Sequence, residues 1–108
     1  MIIDTVTQLL KEHEFELMTE RRSTNRRAFV RPLQIKSLRQ ESLPCQAFTR
    51  DISPEGVGIV CNLAWRPYQR ATLSIHSVRG KEVVFNAEVR WCEPFGKNWY
   101  VVGWSFIQ

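Results

Sequence analysis

The chain has 108 residues, 44% of them hydrophobic, and carries 15 Lys+Arg against 11 Asp+Glu for a formal charge of +4. A chain this short buries roughly 65% of the surface it exposes when unfolded, which sustains one core, so one soluble domain is expected and a second is not. No apolar run approaches the roughly 18 residues of a membrane-spanning helix, and the start Met1-Ile-Ile-Asp4 does not resemble a secretory leader, so the expected location is cytoplasmic.

Residues 1–19 are predicted to form an amphipathic helix. Thr5 and Gln8 fit a capping box, and Val6, Leu9, Leu10, His13 and Leu17 recur at helical spacing with Lys11, Glu12, Glu14 and Glu16 mostly between them. Residues 19–27 hold no hydrophobic residue and no helical period, so they are expected to be a loop. From there the period becomes two, the mark of half-buried strands. Stretches 28–38 and 45–52 are strand-like but irregular, and Val57, Ile59 and Cys61 form a short strand after a turn. Ala71, Leu73 and Ile75 alternate with Thr72, Ser74 and His76. Val83, Phe85, Ala87, Val89 and Trp91 alternate with Asn86, Glu88 and Arg90. Tyr100, Val102, Trp104 and Phe106 make a heavy apolar face, and the small Gly103 beside Val101 suggests a last strand packed closely by its neighbours. Turn signals fall between these runs at Leu43-Pro44, Ser53-Pro-Glu-Gly56, Trp65-Arg-Pro67, Arg79-Gly80 and Glu93-Pro-Phe-Gly96. About six short strands with no helix among them predict an all-β sandwich or small antiparallel barrel over residues 20–108, with the helix of 1–19 added. Closure is favoured because a small open sheet leaves its edges exposed.

Cys45, Cys61 and Cys92 form no CxxC pair, and their odd number argues against a disulfide framework; they are read as small buried hydrophobes. Trp65, Trp91, Trp99 and Trp104 mostly fall on alternating strand positions, where core packing is the expected role. No metal-ligand spacing appears, and neither His13 nor His76 completes a nucleophile, base and orienter set, so no enzyme, metal or cofactor is expected.

The positive charge is local. Residues 20–31 hold five arginines (Arg21, Arg22, Arg26, Arg27, Arg31) against Glu20, while the rest of the chain balances ten basic with ten acidic groups. Such a segment suits either a solvated surface loop or an anion site, and the absence of lysine favours the planar, two-pronged donor that meets phosphate or guanine. Two motifs stand around the first strand region: Arg22-Ser-Thr-Asn-Arg26, and Asp51-Ile-Ser53-Pro-Glu-Gly56. An arginine fork donates to O6 and N7 of guanine, grips a phosphate or lies on a base, while Asp accepts from the N1 and N2 donors. Ser53, Pro54 and Gly56 match a type I turn, from which Asp51 and Ser53, two residues apart, are expected to share a face with Gly56 leaving room for approach. Asp51 and Ser53 equally suit a local role, accepting from turn amides.

In this order around a β pattern the two motifs resemble the PilZ domain family, the bacterial receptor module for cyclic dimeric GMP, over about residues 20–107. The resemblance rests on Glu20-Arg21-Arg22, Arg22 with Arg26, the block Asp51-Ile-Ser-Pro-Glu-Gly-Val-Gly-Ile59, Val89-Arg-Trp91 and Val102-Gly-Trp-Ser-Phe106. It implies a six-stranded antiparallel β-barrel on which Arg22 and Arg26 wrap the ligand, Asp51 and Ser53 read a guanine, and Gly56 shapes the surface. Arg21, just before the motif, either covers a second guanine, giving two ligand molecules per chain, or points to solvent. Many members continue into a helix after the last strand where this sequence stops at Gln108, so the N-terminal helix or a partner protein is expected to cover that surface, and the oligomeric state, a homodimer among the alternatives, stays open. The arginine loop has few apolar anchors and is expected to order when a dianion pairs with it, a change that an unidentified effector protein would read. Two rivals differ in class: a β-barrel binding single-stranded nucleic acid, which would need charge along a groove with stacking aromatics, and a PilZ-fold protein-interaction module that binds no nucleotide. With the charge confined to one loop, DNA is not the expected partner.

Overall fold

A computed structural model describes residues 27–37 and 45–107. The helix predicted over 1–19, and with it Arg21, Arg22 and Arg26, lies outside the described residues, as does the boundary drawn between 19 and 20. Seven strands follow in chain order: β1 Arg27–Ala28, β2 Leu33–Lys36, β3 Ala47–Ile52, β4 Gly56–Cys61, β5 Arg70–His76, β6 Glu82–Pro94 and β7 Tyr100–Ile107. All pair antiparallel, in the order β1-β3-β4-β7-β6-β5-β2. The described residues contain no helix, hence none long and apolar enough to cross a membrane.

The single strand expected over 28–38 is in fact two, which is why seven strands stand where about six were predicted. β1 pairs with β3 and β2 with β5, so the two ends of the sheet order are consecutive pieces of one segment bent at residues 29–32. Pro32 sits at the bend, offers no amide to a ladder, and makes an isolated bridge to Phe48 of β3. Thr49 fastens the corner from inside. Its buried hydroxyl donates to the Phe29 carbonyl at 2.6 Å and accepts from the Arg31 amide at 2.7 Å, beside backbone bonds Phe29 N to Arg50 O and Thr49 N to Arg31 O. The sheet therefore curls back on itself.

The concave side holds the core. Ile52, Val57, Ile59, Leu73, Ile75 and Val102 are fully buried, and the Trp104 ring meets Trp65 edge-on with centroids 4.9 Å apart. Complete burial of a side chain of this kind contributes about 1.5–3 kcal/mol. Cys61 is buried while Cys45 and Cys92 are half-buried against the same core; all three are free thiols, and burial pushes those of Cys45 and Cys61 above the ordinary range. Thr72 and Ser74, predicted on an exposed polar side, are buried as well. Each is a short side chain between taller cross-strand neighbours, Lys36 and Asn86 for Thr72, Gln34 and Val84 for Ser74, and each hydroxyl finds a partner in Asn86 Oδ1 or Glu82 Oε2.

Two bulges reset the alternation. Along β3, Ala47 and Thr49 face inward, so strict alternation would send Asp51 into the core and Ile52 out of it. A register shift between Thr49 and Asp51 reverses the phase: Ile52 is fully buried and Asp51 keeps contact with solvent. The same shift occurs on β6 between Val89 and Trp91. Phe85, Ala87 and Val89 face the core as predicted, but Trp91 does not: the extra residue, Arg90, turns its indole outward to 41% exposure.

Candidate ligand-binding site

The outward phase of these bulges builds one row across five strands. Ala28 of β1 lies opposite Asp51 of β3, Asp51 opposite Gly58 of β4, Gly58 opposite Gly103 of β7, and Gly103 opposite Trp91 of β6. Asp51 leans over Gly58: its Oδ1 accepts from the Gly58 amide at 3.2 Å, and a Cβ at Gly58 would stand 2.6 Å from that oxygen. Trp91 leans over Gly103, where a Cβ would run into the indole ring. Directly opposed residues are separated by about 4.5–5.5 Å between Cα atoms, so the missing side chains of two paired glycines let a carboxylate and an indole converge from either side. An anionic acceptor beside an aromatic surface suits a flat, donor-bearing ring such as a purine.

The other oxygen of Asp51 also has a partner. Arg50 Nε donates to Oδ2 at 3.3 Å, with the arginine side chain 53% exposed and that of Asp51 19%. Consecutive residues on a regular strand point to opposite faces; the bulge is what lets Arg50 and Asp51 meet.

Ser53 plays the local role that the sequence left open. It is buried, its Oγ accepts from the Glu55 and Gly56 amides at 3.2 and 3.3 Å, and its own amide donates to the Gly56 carbonyl at 2.9 Å. Neither Pro54 nor Glu55 has a positive φ, in keeping with an unprimed turn. Asp51 and Ser53 thus do not present a common exposed edge: the carboxylate reaches solvent and the hydroxyl is enclosed in the turn. Gly56 is demanded by the neighbouring strand, since a Cβ there would collide with the Trp104 carbonyl of β7.

Gly58, Gly103, Trp91, Arg50 and Thr49 belong to this arrangement although the motif reading assigned none of them a role. The spacing Gly56-Val-Gly58 was the available signal for Gly58, because a second glycine on the same strand phase leaves an outward gap. A threonine in the inward phase of β3 was the signal for Thr49. Nothing in the sequence marks the bulges that expose Trp91 and pair Arg50 with Asp51. Among the described residues, no three His, Cys, Asp or Glu side chains gather as a metal site.

The described residues thus form a curled antiparallel sheet with a recessed polar and aromatic row on its convex side. Residues 20–108 match the PilZ domain family, and the chain belongs to that family of ligand-binding receptor domains. No curated protein matches the chain.

Proposed function

We propose that this chain is a receptor for cyclic dimeric GMP that holds the dinucleotide on the convex row and passes its level to an effector protein. The observation that supports the reading is the bulge in β3, which lifts Asp51 out of the core and onto Gly58, where its side chain keeps 19% exposure to solvent. In this reading Asp51 accepts from the N1 and N2 donors of one guanine and Trp91 offers its indole to a purine face. Arg22 and Arg26, with Arg21, meet the phosphates and the O6 and N7 edge. Ser53 contributes by fixing the turn behind Asp51, and Gly56 by letting β7 close against β4.

Chain connectivity supports the partnership of the two motifs. Arg27 is opposite Ile52 and Ala28 opposite Asp51, and Arg26 is the residue covalently bonded to Arg27. Neighbouring Cα atoms are about 3.8 Å apart and a chain spans at most about 3.6 Å per residue, so the bonds leading back from β1 allow Arg26 and Arg22 to meet a guest on Asp51. Binding one or two ligand molecules depends on whether Arg21 covers a second guanine. Ordering of the arginine segment around a dianion supplies the signal, limited by the difference in ligand affinity between its states.

Calorimetry with cyclic dimeric GMP tests the reading. The wild-type chain is expected to bind, and Arg22→Ala, Arg26→Ala and Asp51→Ala each to lose affinity by about tenfold to a hundredfold, the worth of a bidentate base or charge-assisted contact; thermal unfolding is expected to be unchanged in the two arginine variants and lowered in Asp51→Ala, which takes the Oδ1 acceptor from the Gly58 amide. Wild-type affinity in both arginine variants, or stronger binding of a single-stranded oligonucleotide than of the cyclic dinucleotide, contradicts it.

A further inference from the structure

We propose that Arg50 is an affinity-setting residue that occupies the ligand's place on Asp51, its guanidinium standing in for the guanine edge. This rests on the receptor reading above. The Asp51 carboxylate has one oxygen, Oδ1, held by the Gly58 amide at 3.2 Å, and Arg50 Nε lies 3.3 Å from the other, Oδ2. The donor edge of guanine is an N–C–N array with hydrogens on both nitrogens, and a guanidinium is the same array carrying a charge. A guanine that docks on Asp51 through Oδ2 therefore competes for that oxygen with the group that resembles it.

The arrangement is specific to the bulge. Arg50 is the extra residue between Thr49 and Asp51 in the register with β4, and without that extra residue positions 50 and 51 would project to opposite faces of the sheet. The pair is also weak enough to be exchanged. With the arginine side chain 53% exposed, it stands in the range of solvent-screened ion pairs, which gives the latch a small, measurable weight rather than a block. Arg50 thereby acts against the attraction that its own charge contributes to a dianionic ligand, and the two effects have opposite signs on mutation.

Two measurements on the full chain decide the matter. In a nitrogen-detected NMR spectrum without ligand, the Arg50 Nε–H signal is expected to shift and to exchange faster with water in Asp51→Asn than in wild type; an identical signal in both overturns the pairing. In calorimetry with cyclic dimeric GMP, Arg50→Ala is expected to bind about two- to fivefold more tightly than wild type, the range open to an exposed pair. Arg79→Ala, which removes an equal charge from the β5–β6 turn, is expected to bind no more tightly than wild type. Binding that is unchanged or weaker in Arg50→Ala overturns this inference alone. Absence of binding in wild type and Arg50→Ala alike overturns the receptor reading, and this inference with it.

Discussion

Gly56 and Gly58 share one outward phase of β4, and a methyl group at each meets a different obstacle. At Gly56 it meets the backbone carbonyl of Trp104, which cannot move without shifting β7; at Gly58 it meets the carboxylate of Asp51, the end of a side chain that can swing away. Gly56→Ala is therefore expected to destabilise the fold by about 1–3 kcal/mol, the cost of overpacking, read as a fall of several degrees in Tm. Gly58→Ala is expected to move Tm much less and to weaken cyclic dimeric GMP binding about tenfold or more, because the carboxylate is pushed off the site. Similar Tm losses in both variants with ligand affinity intact would contradict this division. Ser74 and Glu82 offer a test by pH. The Ser74 hydroxyl donates to the Glu82 carboxylate at 2.7 Å and, with help from the charges of Lys36 and His76, holds Glu82 below the ordinary carboxylate range. A folded value below the unfolded one means that this contribution to stability is complete above the unfolded value and is lost as pH falls through the folded one. Ser74→Ala is expected to raise the Glu82 midpoint in a carbon-detected NMR titration; an unmoved midpoint would show that the hydroxyl is not the cause.

At the scale of elements, the decisive features are the two bulges and the corner at residues 29–32. The sequence shows β4 to β7 within a few residues of their ends, because Ile59, Ala71, Leu73, Phe85, Ala87 and Val102 keep strict period two and a buried face tolerates no other register. The bulges were not legible, since a single inserted residue leaves the residue types on both sides equally plausible strand formers. For that reason Trp91 reads as core from the pattern and is exposed in the fold, while Asp51 would read as buried if β3 were regular. The corner was hidden for a related reason: the long stretch 28–38 carries no glycine, and what bends it is Pro32 together with a hydroxyl reaching in from another strand. Thr49→Val tests that claim. It keeps shape while leaving the Phe29 carbonyl and Arg31 amide without the hydroxyl that now serves both, at a cost of about 1–3 kcal/mol in chemical denaturation. It is also expected to weaken ligand binding, because this corner anchors β1 and through it the arginine segment. A variant as stable as wild type would show that backbone pairing alone holds the bend.

Across the whole molecule, charge and shape divide the work. The described sheet wall carries Asp51, Trp91 and the glycine gap, to which the proposed function gives the roles of acceptor and aromatic surface, and the local excess of arginine lies in the segment that leads into β1. The motif residues were legible because their chemistry is visible as residue types: five arginines without a lysine, and a carboxylate ahead of a turn. What they do was less legible, because Ser53 and Gly56 are recognised by position yet act through the turn and through β7, which only tertiary packing reveals. A site that joins a dianion to several arginines is expected to lose affinity as salt rises from 0.05 M to 0.5 M, with the Debye length falling to about 4 Å. The most direct measurement is a two-dimensional amide and indole NMR titration of the full chain with cyclic dimeric GMP. The account predicts that the largest shifts fall on Asp51, Gly58, Gly103 and the Trp91 indole together with Arg22 and Arg26. Shifts confined to the β2–β5 side, at Gln34, Ser74 and their neighbours, with the Trp91 indole unmoved, would contradict it.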